Sequence, residues 1–339
     1  MTKFNVYKLH FTAPLHIGDQ HGDSTLSMRS IQSDTLYAAL TSCLAKTGNR
    51  IPQDGDLGFT VSSLFPYYQN SQEDHPTYFL PMPLQARQPE LKDVSQAKKL
   101  KKVQWVDCAF YGDILNGRFS LKDADALIPY VQGHYLTEVL LPLGEEGIPE
   151  FVNSEISQRV AIKSRVGHED AKPYYVDKIV FKHHAGLFFL AEGDTTLLDK
   201  ALNILSVEGI GTDRNVGFGY FEYSKDTISI ELPNDADYQL ALSLLIPESK
   251  EQLTQLMSSK YVAYDFARRG GWITTYPYTT IRKCAVYGFL PGSVFSKDKA
   301  LECTPIGGIV DLRPRIGELS PTHSIWRSGR SIMLPLKLY

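Results

Sequence analysis

The sequence predicts an α+β protein built from two βαββαβ units, and three observations carry that prediction. The order strand, helix, strands occurs twice along the chain. A polar break at Pro233–Asp237, holding Pro, Asn and Asp, falls between two strand patterns. The length of 339 residues exceeds the usual span of one domain. The expected units are residues 1–232 and 233–339.

In the first unit, Phe4 to Phe11 alternates, with Tyr7, Leu9 and Phe11 on one face. Pro14 ends that strand, and a long polar, glycine-bearing loop follows; loops of such length commonly carry function. A helix starts at Ser33-Asp34-Thr35 with Ser33 as N-cap. Its apolar stripe is Leu36, Leu40, Cys43 and Leu44, and Gly48 closes it. Tyr67 to Lys102 is rich in Pro, Gln and Lys and ends in Lys98-Lys99-Leu100-Lys101-Lys102, so an inserted excursion is expected around 67–110. The lysine run fits a solvated helix face as well as a binding site. Trp105 to Phe110 has a strand signal, Ala124 to Tyr130 fits a short helix, and Val176 to Leu190 fits two strands joined around His183-His184-Ala185-Gly186. A helix over Thr196–Leu205 then leads through a glycine-rich loop, 209–219, into a strand at Tyr220–Tyr223. In the second unit, Tyr238 to Ile246 is a strand, Glu248 to Ser259 an amphipathic helix, and Trp272 and Ala285 to Leu290 further strand.

The chain is 43% hydrophobic and 22% charged, the balance of a soluble globular protein. Its formal charge of -3 excludes polyanion binding by bulk attraction, but the charge is unevenly spread. Residues 255–339 hold 12 basic and 5 acidic side chains, and the remainder 23 and 33. One surface for a polyanion and another for a different partner would explain this; so would an acidic half that is simply solvated. Cys43, Cys108, Cys284 and Cys303 are far apart, which argues against a zinc site or a disulfide framework. The start lacks an apolar signal core and no apolar run reaches membrane-spanning length, so a cytoplasmic location without membrane attachment is expected.

Four clusters bear on function. The loop Gly209-Ile210-Gly211-Thr212-Asp213-Arg214-Asn215-Val216-Gly217-Phe218-Gly219 follows a helix and enters a strand, the reverse of a dinucleotide fingerprint, and no Lys-Ser/Thr pair makes it a P-loop. Its glycines, Gly211, Gly217 and Gly219 among them, would let backbone N–H groups approach phosphate. Arg214 would pair with phosphate, with Asn215 beside it, and Phe218 would offer a ring to a base. An ordinary glycine turn packed on a sheet is the alternative. Next, the alternation in Arg159-Val160-Ala161-Ile162-Lys163-Ser164-Arg165 sets Arg159, Lys163 and Arg165 on one strand face. The His10–Ser33 loop offers His16, Gly18, His21 and Arg29; its histidines fit either acid–base chemistry or a structural role. Lastly, Arg268-Arg269-Gly270-Gly271-Trp272, Arg282-Lys283 and Arg327-Ser328-Gly329-Arg330 interleave cations with glycine and aromatics, a pattern shared by RNA-binding and protein-binding surfaces.

Seven phrases in order resemble the RAMP superfamily of CRISPR proteins, most closely the Csm subunit four family of type III-A effector complexes. They are Leu15-His16-Ile17-Gly18-Asp19, Ser33-Asp34-Thr35-Leu36, Arg159-Val160-Ala161-Ile162, Gly209 to Phe221, Gly271-Trp272-Ile273, Pro291-Gly292-Ser293-Val294-Phe295 and Arg327-Ser328-Gly329-Arg330. The resemblance implies two ferredoxin-like, RNA-recognition-motif-like domains with a hairpin thumb, for which 67–110 is the candidate. It implies a non-catalytic subunit, with no cofactor or metal, that caps the 5′ handle of the crRNA near the target RNA. The large polymerase-like Csm subunit and a backbone RAMP subunit would be its partners. RNA contact is expected at His16, Gly18, Arg29, the Arg159–Arg165 strand and the glycine-rich loop, with Arg282, Arg327 and Arg330 added from the C-terminal cations. The alternative is a metal-independent endoribonuclease that matures pre-crRNA, with His16 or His21 as acid or base and Lys163 or Arg214 stabilising the phosphorane.

Overall fold

The computed structural model describes residues 1–18, 30–70, 73–84, 94–118, 126–144, 149–161, 172–182, 184–297, 306–315, 317 and 320–338. Strand β1 (Thr2–Phe11) leads to helix α1 (Ser33–Lys46), β2 (Phe59–Val61), β3 (Phe65–Tyr68) and β4 (Thr77–Pro81). Helix α2 (Val94–Lys101), β5 (Trp105–Asp107), α3 (Cys108–Leu115), β6 (Val131–Gln132) and β7 (Tyr135–Leu136) follow. Then come β8 (Val152–Ala161), β9 (Lys172–Phe181), β10 (Gly186–Gly193), α4 (Thr196–Glu208) and β11 (Phe221–Ile230). The main sheet runs β11-β1-β10-β3-β4-β5-β7-β6, with β2 also paired to β10. Every pairing is antiparallel except β5 with β7.

Alternation along β1 explains why this sheet is covered on both faces. Tyr7, Leu9 and Phe11 enter a core with Leu36, Leu40 and Leu44 of α1 and Leu198, Leu202 and Leu205 of α4. Phe4 and Val6 enter a second core with Tyr111 and Leu115 of α3. Each fully buried side chain of this kind contributes about 1.5–3 kcal/mol relative to exposure.

Local chemistry differs from the sequence expectation in three places. Gln32, not Ser33, occupies the N-cap of α1. The Ser33 hydroxyl is needed elsewhere: it accepts from the Leu244 N–H at 2.9 Å. Trp105 to Phe110 is strand only as far as Asp107, whose carboxylate caps α3 by accepting from the Ala109 N–H at 3.0 Å. The 67–110 stretch, expected as an excursion, supplies β4, α2, β5 and part of β3 and α3, and buries Tyr67, Tyr78 and Phe79. Aromatic packing holds it there, with Tyr78 edge-on to Phe188 at 4.8 Å. The long hairpin outside the main sheet is β8–β9, paired from Val152↔Phe181 to Ala161↔Lys172, with Val152 and Ile179 at its base in the first core.

After the first sheet come β12 (Tyr238–Ala241), α5 (Lys250–Leu256), β13 (Phe266–Arg269), β14 (Val286–Phe289), β15 (Val294–Ser296), β16 (Ile309–Asp311), β17 (Trp326–Ser328) and β18 (Met333–Leu336). Strand β12 lies between β15 and β18, and β13–β14 and β16–β17 form two ribbons. Among the described residues no helix stands between β15 and β18; the β16–β17 ribbon is there, with β17 against α1. Leu240, Leu242, Val294, Leu334 and Leu336 share the core of Phe4 and Val6, so the C-terminal strands cover the far face of the N-terminal sheet.

A buried ion cluster joins the same two regions. Asp34, fully buried in the first turn of α1, accepts from Arg269 Nε and Nη2, each at 2.9 Å, and from Arg327 Nη1 at 3.0 Å. Burial pushes the Asp34 pKa up, but the Arg327 and Arg269 guanidiniums outweigh it and hold the carboxyl below its usual range. Nearby Lys283 is pushed down to about 8, by burial first and then by Arg327 and Arg269, against the pull of Asp34.

Asp34→Ala leaves two guanidiniums buried without their carboxylate. It is expected to cost about 3–5 kcal/mol in urea unfolding. Lys283 titrates near 8 when folded and near roughly 10.4 when unfolded. Between those values the unfolded chain binds more protons, so this group makes stability rise with pH. Lys283→Gln should therefore raise the thermal midpoint by several degrees at pH 7, with the gain shrinking toward pH 10.

Candidate nucleic-acid interface

The glycine-rich loop is closed at its base and open at its tip. Helix α4 ends at Gly209, whose N–H donates to the Leu205 carbonyl at 2.8 Å, and the Ile210 N–H donates to the Gly219 carbonyl at 2.9 Å. Gly219, at φ +76°, faces the Ile210 carbonyl so closely that a Cβ would collide with it. Gly211, at φ +97°, meets the His16 carbonyl in the same way. These two glycines serve the packing of the loop itself. Gly217, by contrast, has open space where a Cβ would stand.

Between the glycines, Asp213 adopts left-handed φ and ψ and starts a single 3-10 turn, Arg214–Val216. Asp is one of the few non-glycine residues that adopt this conformation readily, and here its carboxylate is held from outside the loop, by Arg159. Asn215 and Val216 are exposed and Arg214 is half-buried, its guanidinium 3.9 Å from the Glu208 carboxylate. Neither the Arg214 nor the Asn215 backbone N–H has a backbone acceptor within the described chain. The tip thus presents a cation, an amide and two uncommitted N–H groups, the donor set an anion requires.

Two segments clamp the base. The Pro14 carbonyl accepts from the Gly219 N–H at 2.8 Å, and the His16 carbonyl from the Thr212 N–H at 2.9 Å. His16 is buried, with its Nδ1 2.5 Å from the Asp177 carbonyl of β9; with the carbonyl as acceptor, Nδ1 carries the proton. Gly18 is exposed and near Thr212. From β8, Arg159 donates to Asp213 at 2.7 Å and lies over the Phe218 ring at 4.7 Å from its centroid. The Phe218 face expected to receive a base is therefore occupied by Arg159, and the ring is buried. The structure brings together His16, Gly18, Arg159, Gly211, Arg214, Asn215, Gly217, Phe218 and Gly219 at the junction of the loop, the first segment and the hairpin. Arg29, His21, Lys163 and Arg165 lie outside the described residues.

The C-terminal arginines lie apart from this junction. Arg282 is exposed and covers Trp272 at 4.8 Å. Arg330 pairs with Asp56 at 2.7 Å. Arg327 is buried on Asp34, where it joins two parts of the fold. Sequence reasoning missed the acidic partners, Asp213, Glu208 and Asp34, because pairing across more than fifty residues leaves no local signal for Arg159 and Arg327. Asp213 alone had one, as a turn-forming residue between Thr212 and Arg214. Among the described residues no cluster of His, Cys, Asp and Glu could hold a metal, and no helix is long and apolar enough to cross a membrane.

Gly219→Ala should cost more than about 1 kcal/mol, through its positive φ and the collision with Ile210. Asn215→Ala at the tip should stay within about 0.5 kcal/mol in the same denaturation assay.

Residues 234–336 match the family model for the CRISPR Csm4 C-terminal domain. A Csm4 protein of Mycobacterium tuberculosis is 27% identical over 331 residues, covering 95% of this chain and 94% of its own length. One from Streptococcus thermophilus is 25% identical, covering 98% and 99%. Among solved structures, the fold matches a chain of a Csm3-Csm4 subcomplex of the type III-A interference complex at TM-score 0.59, with 17% identity and coverage of 99% and 100%. It also matches a chain of a Csm1-Csm4 cassette in complex with cA4 at 0.58, with 19% identity and coverage of 100% and 99%. The chain is thus similar to Csm4 proteins of CRISPR systems, by a family model over its C-terminal part and by sequence and fold over nearly its whole length.

Proposed function

We propose that this chain is a non-catalytic, RNA-binding subunit of a type III-A Csm effector complex, working in the cytoplasm in antiviral defence. It caps the 5′ handle of the crRNA close to the target RNA, and it docks the large polymerase-like subunit and a backbone RAMP subunit. The structural observation that carries this reading is the loop–hairpin junction, where Arg159 locks β8 to a loop whose Arg214–Gly217 tip remains open. Solved chains of the same fold belong to a Csm1-Csm4 cassette and a Csm3-Csm4 subcomplex, which supports both protein partners.

The strand order β11-β1-β10-β2, with α1 and α4 in one core, supports a ferredoxin-like unit at 1–232. The order β18-β12-β15 supports a second, reduced one at 233–339. The β8–β9 hairpin, with Ile156, Val160, Tyr174 and Tyr175 exposed, fits the thumb better than 67–110. The endoribonuclease alternative is disfavoured because His16 is buried and its Nδ1 is engaged by Asp177.

Full-length protein should bind RNA bearing the handle, with log affinity falling linearly as log salt rises. Arg214→Ala combined with Asn215→Ala should weaken binding about tenfold or more in a filter-binding assay, with the thermal midpoint unchanged. Cleavage of repeat RNA that His16→Ala abolishes would establish the endoribonuclease instead.

A further inference from the structure

Glu208, the last residue of α4, stands where helix electrostatics disfavour a carboxylate. The carbonyl end of a helix carries partial negative charge, and the last turn of α4 holds no basic residue of its own. Its Oε2 is met from elsewhere instead. Lys46, in the last turn of α1, pairs with it at 2.6 Å, the Cys43 thiol donates to it at 4.0 Å, and Arg214 Nη1 lies 3.9 Å away. Burial first, and then the Glu208 charge, push the Cys43 thiol up to about 11, so at neutral pH it stays an uncharged donor.

The two arginines of the loop junction are held differently. Arg159 is bonded to Asp213 at 2.7 Å and covers Phe218, so it is committed to the scaffold. Arg214 stands 3.9 Å from its carboxylate, beyond the roughly 2.7–2.9 Å of a charge-assisted hydrogen bond. Its guanidinium donates no hydrogen bond among the described residues, while the Tyr220 hydroxyl donates to its carbonyl at 3.3 Å and steadies the backbone. The side chain is thus drawn toward Glu208 yet able to leave it, because Lys46 takes the shared oxygen at closer range. Glu208 and Arg214 are 28% and 37% exposed, so water screens their attraction and keeps it modest.

Resting on the RNA-binding reading above, we propose that Glu208 is an internal competitor of phosphate, a positioning residue that holds Arg214 in reserve, with Lys46 setting how firmly. A phosphate at the tip offers Arg214 what Glu208 withholds, an oxyanion able to accept from it in bidentate fashion. Arg214 then passes from one anion to the other, and Glu208 remains neutralised by Lys46. The competition is between charges, and phosphate carries no sequence. It therefore lowers the binding of every RNA by the same factor and leaves discrimination to contacts with the bases.

The test is a thermodynamic cycle by filter binding, with full-length protein at fixed salt and with handle RNA and an oligouridylate as the two ligands. Glu208→Gln should bind both RNAs about threefold more tightly, and Lys46→Gln about threefold more weakly. In an Arg214→Ala background both effects should vanish, because each acts through that guanidinium. The thermal midpoint of each variant checks that it folds. Effects that persist unchanged without Arg214 overturn the proposal, since Glu208 then repels RNA directly and Lys46 touches it. A gain confined to handle RNA also overturns it, since Glu208 would then be reading a base. Unchanged affinity in Glu208→Gln, with wild type binding RNA, overturns the proposal and leaves the RNA-binding reading standing. Wild-type protein that binds neither RNA overturns that reading, and the proposal with it.

Discussion

The structure depends on a sheet that has no solvent face where β1 runs. Because side chains alternate, one strand supplies both cores: Tyr7, Leu9 and Phe11 to the helix-covered layer, Phe4 and Val6 to the layer shared with β12, β15 and β18. A sheet apolar on both faces needs two covers. Helices α1 and α4 provide one, and α3 with the C-terminal strands provides the other. The second unit therefore completes the hydrophobic burial of the first, and its own separate cluster, around Leu245, Leu256 and Phe295, is small.

The Asp34 cluster adds direction to that burial. Apolar contact alone tolerates sliding, whereas a fully buried carboxylate holding two guanidiniums at 2.9–3.0 Å fixes the N-terminal end of α1 against β13 and β17. The arrangement is not balanced in charge. Lys283 stands near the same carboxylate and its pKa is depressed toward 8, so the joint retains positive excess at neutral pH. Ser33 reinforces the joint through the Leu244 N–H. The first turn of α1 thus acts as a connector between the two regions as well as a helix start.

The glycine-rich loop divides its residues between construction and presentation. Gly211 and Gly219 are spent on close backbone contact with His16 and Ile210, and Arg159 with Phe218 ties the loop to the hairpin. What remains for a ligand is the short tip, Arg214 to Gly217. A rigid base under a small open tip suits recognition, since little ordering is left to be done on binding.

The sequence by itself determined the elements whose signals are local. The alternation of Tyr7, Leu9 and Phe11, the Leu36–Leu40–Leu44 stripe with Gly48 after it, and the helix–glycine loop–strand order at 196–223 are all present as expected. The likeness to Csm4 proteins was legible because seven phrases kept their order along the chain. Tertiary structure alone decided which cations are free. Arg327 and Arg159 look alike in sequence to Arg268, yet the first two are held by Asp34 and Asp213 and the third is exposed. It also decided that β4 and β5 of the 67–110 stretch extend the sheet and that β8–β9 pairs outside it, because a window rich in Pro, Gln and Lys says nothing about whether Tyr67 and Tyr78 find rings to pack on. Periodicity and turn chemistry act between neighbours in the chain; ion pairing and core closure act between residues far apart in it.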